Sequence, residues 1–97
     1  KKVFKNSYKI FEITGEERPG LIGDIGTLFG KYYITIKDIS ISNKDIGDDA
    51  QYDLIDINFA VKIPTNLEVN NVINEIYKIK AVTNVSYGGK IIDKETL

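Results

Sequence analysis

The chain has 97 residues, which is enough for one domain with a single hydrophobic core. It contains neither cysteine nor histidine, which excludes disulfides, thiolate metal sites and nucleophiles activated by a histidine base. With 13 basic and 14 acidic residues, the chain also lacks the basic excess expected of a nucleic-acid-binding surface.

Residues 1–7 mix charged and apolar side chains without a clear period, so we expect a tail or linker there. The first predicted strand follows at residues 8–14, with the sequence YKIFEIT. Its β-branched and aromatic residues lie on both faces, which is typical of a strand in the interior of a sheet.

The first predicted helix begins after the loop sequence GEERPG, with Pro19 in its first turn. Its apolar residues form one helical stripe, consisting of Leu21, Ile22, Ile25, Leu28 and Phe29. Glycines at 23, 26 and 30 interrupt the helix, and each interior glycine costs roughly 0.5–1 kcal/mol relative to alanine. This cost predicts a close approach of the helix to the sheet or to a partner.

Two further strands are predicted at residues 33–43 and 51–63, joined by a polar turn. The apolar phase of the first changes by one residue near Lys37 and Asp38, which predicts a β-bulge there. The second alternates apolar and polar residues more regularly than any other segment.

Pro64 ends the third strand, and Thr65 precedes Glu68 by three residues, the spacing of a helix capping box. The predicted second helix carries one stripe, consisting of Val69, Val72, Ile73, Ile76 and Lys80, with Tyr77 at its edge. A last strand is predicted at residues 84–88. We expect residues 89–97 to be a C-terminal tail, with room for a few more strand residues.

The predicted order is β-α-β-β-α-β. With right-handed crossovers this order gives an α+β, ferredoxin-like sandwich, in which a four-stranded antiparallel sheet carries both helices on one face. The domain would span residues 8–88. Because many activities occur on this fold, the fold alone does not assign a function.

The loop between the first strand and the first helix is the most informative stretch for function. The start of a helix offers free amides to a carboxylate or phosphate, and here they would belong to Gly20, Leu21 and Ile22. Arg18, the only arginine of the chain, suits two-pronged contact with the same anions. A turn chosen for its geometry, with Arg18 in solvent, explains the residues equally well.

The run ITGEERPGLIGDIGTLFGKYYITIKDISI resembles the ACT domain, a small regulatory module attached to many enzymes. The loop signature of that family stands here as Glu17-Arg18-Pro19-Gly20-Leu21. The resemblance extends over residues 8–88 and includes the closing segment around Ile79, Val82 and Val85. It implies a module that pairs with a second copy and binds a small effector, an amino acid, near the first loop.

The resemblance also implies which residues would bind the effector. These are Glu17, Arg18, Gly20, Leu21 and Ile22 in the loop, with Thr35 and Ile36 on the second strand. Glu17 stands where the family usually has aspartate, and Thr35 where it often has asparagine. Both departures favour the alternative, a module of the same fold that associates without a ligand.

The resemblance also implies a longer parent protein with a catalytic or membrane domain. The module would then lie where that parent lies, in the cytoplasm or at the cytoplasmic face of a membrane. The sequence begins at Lys1 and not at a methionine, so it leaves open whether the chain is complete or a piece of a longer protein. Absence of cysteine agrees with a reducing compartment, and the chain has no apolar run long enough to span a membrane.

Three other functions share this fold or these residues and are not expected. The aspartates at 45, 48, 49 and 53 lack the spacing of a calcium loop, so we expect neither a metal nor a cofactor. Tyr8, Tyr52 and Phe59 suggest stacking on RNA, but the basic residues of that surface are missing. Arg18 suggests an acylphosphatase, but the rest of that loop is missing, and we expect no enzyme activity.

Overall fold

The computed structural model describes residues 8–44 and 53–96. The described part contains five strands, two α-helices and a short C-terminal 3₁₀ helix. In chain order the elements are β1 Lys9–Glu16, α1 Leu21–Lys31, β2 Thr35–Lys44, β3 Leu54–Lys62, α2 Val69–Tyr77, β4 Val82–Tyr87, β5 Lys90–Ile92 and the 3₁₀ helix Lys94–Thr96. The predicted succession of elements is therefore present as far as β4.

The five strands form one antiparallel sheet in the order β2-β3-β1-β4-β5. The prediction of four strands was wrong, because residues 90–92 of the expected tail pair with β4. Gly88 and Gly89, which lie between β4 and β5, both have positive φ, 60° and 84°. Two residues of this kind make the tight turn of a β-hairpin, so the glycines return the chain to the sheet.

The predicted bulge in β2 is confirmed. Ile36 lies opposite Val61 and Asp38 lies opposite Ala60, so Lys37 is the extra residue of the ladder. The bulge explains why the isoleucines before and after it have opposite phases in the sequence and still share the core side of the sheet.

The hydrophobic core lies between one face of the sheet and the two helices. Buried residues of both helices and of strands β1, β3 and β4 form a single cluster. At its centre the rings of Phe11 and Phe59 flank Phe29 of α1, each with its centroid 5.2 Å from the Phe29 ring. On the opposite face of the sheet, Glu12, Asn58 and Asn84 form a polar patch.

Both helices begin differently from the prediction. Helix α2 starts at Val69 and not at Thr65, and Glu68 precedes it without a capping hydrogen bond from its side chain. Residues 65 and 66 form a turn instead, because the chain must first cross from the end of β3 to the helical layer. In front of α1, Pro19 lies in the turn and Gly20 is the N-cap.

The glycines of α1 do not serve close packing against the described part of the chain. A Cβ atom added at Gly23, Gly26 or Gly30 would meet no atom of residues 8–44 and 53–96 within 4 Å. The predicted approach of this helix face to the sheet was therefore wrong, and approach by a partner stays a prediction. Of the other residues weighed in the sequence, Asp45, Asp48, Asp49 and Tyr52 lie outside the described part.

Candidate functional site

The loop between β1 and α1 is anchored at its start by close backbone contact. The Glu16 amide donates to the Ala81 carbonyl at 2.9 Å, and the Glu17 amide donates to the Asp53 carbonyl at 2.9 Å. Gly15 makes this approach possible, because a Cβ at that position would lie 2.7 Å from the same Ala81 oxygen. The sheet end thus sets the direction in which the loop enters α1.

Gly20 turns the chain into the helix. Its φ of 84° is left-handed, a conformation that glycine adopts at little cost, and its carbonyl accepts the Asp24 amide at 2.8 Å. The Leu21 amide points back to the Arg18 carbonyl at a long 3.4 Å. Within the described residues the amides of Gly20, Ile22 and Gly23 have no backbone acceptor, so these are the donors that the helix start offers.

A cavity of about 240 Å³ lies in front of this helix start. Its lining combines the loop with the ends of two strands, and among the described residues it includes Glu17, Arg18, Gly20, Leu21, Ile22, Gly23, Ile41, Asn43 and Ile55. Five of these were predicted from the sequence. The aliphatic side chains provide an apolar wall, while the amides and Asn43 provide hydrogen-bonding groups.

Sequence reasoning missed the contribution of β2 and β3. Asn43 pairs with Ile55, and Ile55 pairs with Gly15, so the ends of all three strands meet at the edge from which the loop departs. The sequence predicted that β2 and β3 form a hairpin. Which of their residues lie beside the loop depends on the register of the sheet, and the alternation of residues alone does not specify that register.

Arg18 does not extend freely towards a ligand. Its Nε donates to the Lys80 carbonyl at 3.0 Å and its Nη1 to the Pro19 carbonyl at 2.9 Å. Its Nη2 forms an ion pair with Asp24 Oδ2 at 2.7 Å. Three of the guanidinium donors therefore tie the loop to α1 and to the connection before β4.

Thr35 and Ile36 lie far from the rest of the predicted site. Thr35 pairs with Lys62 at one end of the β2–β3 ladder, whereas Asn43 pairs with Ile55 near the other. Eight residues of strand correspond to roughly 26 Å. Within one chain, the structure thus brings together the loop residues and leaves Thr35 and Ile36 outside the cavity.

A second group of electrostatic contacts lies away from the cavity, between the end of α1 and α2. Glu75 of α2 accepts hydrogen bonds from the Tyr32 hydroxyl and from Lys31 Nζ. These two donors lower the pKa of the Glu75 carboxyl, and the same carboxylate raises the pKa of Tyr32 and of Lys31. The network joins the end of α1 to α2 and contains no group that faces the cavity.

The described residues hold neither a cluster of metal-binding side chains nor a membrane-spanning helix. They contain no cluster of three acidic side chains that could hold a metal ion. Neither helix in this part of the chain is long and apolar enough to cross a membrane.

A family model described as the ACT domain matches residues 7–86. No curated protein matches the chain. The crystal structure of the ACT domain from GTP pyrophosphokinase of Chlorobium tepidum is similar, with a TM-score of 0.62 and 18% identity over 82% of this chain and 95% of that one.

Two further solved structures resemble the chain over part of their own length. An unknown protein from Galdieria sulphuraria has a TM-score of 0.66 and 12% identity, over 89% of this chain and 49% of that one. A homoserine dehydrogenase from Thiobacillus denitrificans has a TM-score of 0.58 and 21% identity, over 88% of this chain and 16% of that one. At these identities the likeness concerns the fold.

Proposed function

Because the chain belongs to the ACT domain family, we propose that it is a regulatory module that binds a small effector, an amino acid, in the cavity beside α1. The observation that carries this proposal is the meeting of open amides at Ile22 and Gly23 with an aliphatic wall in one cavity. A helix start suits the carboxylate of an amino acid, and the wall suits its side chain.

Asn43 is the polar group best placed to complete recognition. Its carboxamide both accepts and donates hydrogen bonds, so it can meet the ammonium or the carboxylate group of an amino acid. Arg18 was expected to contact the effector directly, but its guanidinium group is hydrogen-bonded to the Lys80 carbonyl and to Asp24. Its part in binding is then to keep the helix start in the right position.

The proposed module works in pairs and regulates a domain of the same parent protein. An effector can regulate only if it binds one arrangement of the pair more tightly than another. Two similar structures carry the names of enzymes, a GTP pyrophosphokinase and a homoserine dehydrogenase, which supports a catalytic parent over a membrane transporter. We propose the cytoplasm as the location, following such a parent, and no enzyme activity in the module itself.

The test is a thermal-shift screen of the twenty amino acids, followed by calorimetry of each one that stabilises the chain. We expect at least one to bind, and Asn43→Ala to weaken that binding about tenfold or more, the loss expected when one charge-assisted hydrogen bond is removed. Asn84→Ala is the matched control, because Asn84 is exposed on the polar face of the sheet and does not line the cavity. No shift at millimolar concentration with any amino acid would refute effector binding.

The second candidate is a module of the same fold that associates without a ligand. The occupied donors of Arg18 favour it, because the one guanidinium of the chain already has protein partners. Equal stability and equal association with and without all twenty amino acids would select this candidate.

A further inference from the structure

The face of the sheet away from the helices carries a cavity that the candidate site does not use. This open-face cavity lies over β1 and β4, beside the glycine turn between β4 and β5. Its volume is about 440 Å³, larger than the 240 Å³ of the cavity beside α1. Among the described residues its lining includes Tyr8, Lys9, Ile10, Glu12, Ser86, Gly88 and Gly89. None of them lines the cavity beside α1.

One end of the open-face cavity is apolar and has free space above it. Tyr8 and Ile10 follow each other on the same face of the chain, and each is 43% exposed. The Gly88 amide donates to the Ile10 carbonyl at 3.0 Å, which holds the turn beside them. A Cβ atom added at Gly88 or Gly89 would meet no described atom within 4 Å. The turn therefore leaves room for the apolar part of a ligand.

The other end of the cavity is formed by an unpaired carboxylate. Glu12 is half-buried on the middle strand of the sheet, and its side chain has no ion pair or hydrogen bond with the described residues. Lys9 pairs with the buried Val61, so its side chain lies on the other face of the sheet. Lys62 shares the face of Glu12 but lies on β3 and does not line the cavity. Since a half-buried charge is favourable only when it is paired, the carboxylate calls for a cation.

Two hydrogen-bond acceptors flank this carboxylate. The register places Asn58 directly opposite Glu12 on one side and Ser86 directly opposite it on the other. A second cavity of about 150 Å³ begins at the same place and shares Glu12 and Ser86 with the first. The carboxylate, the amide oxygen and the hydroxyl thus form one row of acceptors across three strands.

A primary ammonium group matches this row, because it has three donors, no acceptor and a positive charge. Ile10 lies two residues from Glu12 along β1, roughly 7 Å, so a short alkyl chain bound at the carboxylate reaches the apolar end. A stem that packs on apolar surface and a charged head at a polar group is the way in which lysine side chains bind. A carboxylate in this position disfavours phosphates and other anions.

We propose that the open-face cavity binds a primary ammonium group on an aliphatic stem, with the charge at Glu12 and the stem over Ile10 towards the glycine turn. A free alkylamine and the lysine side chain of a partner protein share this chemistry. The inference goes beyond the proposed function and does not depend on it, because the two cavities have no lining residue in common.

The test is a titration of the nitrogen-15-labelled chain with n-pentylamine at about pH 7, where the amine is protonated. We expect saturable amide shifts at millimolar concentration, confined to residues 8–12 and 86–89. Pentanol has the same stem without the charge, and pentanoate has a charge of the opposite sign. Both should bind at least tenfold more weakly than pentylamine, and this comparison requires no altered protein.

A charge-removing variant then identifies the residue. Glu12→Gln keeps the shape of the side chain, and we expect it to weaken pentylamine binding about tenfold or more. Glu16→Gln is the matched control, because Glu16 is a half-buried carboxylate on the same strand that does not line the cavity. Asn43→Ala should leave pentylamine binding unchanged, so this test and that of the amino-acid effector fail independently.

The lysine analogue Nα-acetyl-lysine methylamide distinguishes the two sources of the ammonium group. Binding at least tenfold tighter than that of pentylamine would assign the site to a partner's lysine, and equal or weaker binding would assign it to a free amine. Both results support the ammonium site. Absence of shifts with pentylamine, equal binding of pentanol, or full affinity in Glu12→Gln would overturn the inference.

Discussion

At the scale of single residues, the candidate site depends on positions where backbone approaches backbone. Gly15 and Gly20 differ from the glycines of α1 in this respect, although all were visible in the sequence. A Cβ at Gly15 would lie 2.7 Å from the Ala81 oxygen and Gly20 has a left-handed φ of 84°, whereas a Cβ at Gly26 would have no described atom within 4 Å. The first two therefore shape the loop that enters α1.

Replacing Gly15 by alanine tests this distinction. The new Cβ would lie 2.7 Å from the backbone oxygen of Ala81, so the strand end must move, and we expect a loss of about 1–3 kcal/mol in the free energy of unfolding. Gly26→Ala is the control and should gain about 0.5–1 kcal/mol, because it only relieves the cost of a helical glycine. Urea denaturation of both variants measures the difference, and equal stabilities would show that the contact at Gly15 is unimportant.

At the scale of elements, the fifth strand is held by a side chain from a helix. The Tyr77 hydroxyl of α2 donates to the Ile92 carbonyl at 2.6 Å and accepts the buried Val85 amide at 3.0 Å. This one hydroxyl joins α2, β4 and β5. The sequence placed Tyr77 at the edge of the apolar stripe, which agrees with a ring in the core and a hydroxyl that needs a partner.

Tyr77→Phe removes both hydrogen bonds and leaves the Val85 amide without its acceptor. We expect a loss of about 1–3 kcal/mol in the free energy of unfolding, together with faster amide exchange at residues 90–92. Tyr33→Phe alters a tyrosine that is 84% exposed and should change stability by less than about 0.5 kcal/mol. Unchanged exchange in Tyr77→Phe would mean that the glycine turn alone holds β5.

At the scale of the whole molecule, the two helices are joined by charge as well as by the core. Glu75 of α2 accepts from Lys31 and from the Tyr32 hydroxyl, both at the end of α1. The network sits on the surface, so its contribution is modest and sensitive to solvent. It is one of the contacts that join the two helices, beside those of the core.

This network predicts how stability depends on pH. The pKa of Glu75 is lowered in the folded chain from its usual 4.5 by the Tyr32 hydroxyl and Lys31, so the folded state binds this proton less readily than the unfolded state. The stabilisation is present above about pH 4.5 and is lost as the pH falls through the lowered value. We expect the stability difference between the chain and Glu75→Gln to shrink between pH 7 and pH 3 in urea denaturation.

A difference that is the same at both pH values would contradict this assignment. Glu68→Gln is the matched control, because Glu68 is exposed and precedes α2 without a side-chain capping bond.

The amino-acid sequence by itself determined the order of the elements as far as β4, the bulge at Lys37 and the loop half of the candidate site. These features follow from periodicity and turn residues, which act over a few neighbouring positions. Only the tertiary structure decided that β5 joins the sheet, that Asn43 and Ile41 line the cavity, and that Thr35 does not. Arg18 shows the physical reason, because its partner Lys80 is 62 residues away and only chain packing brings the two together.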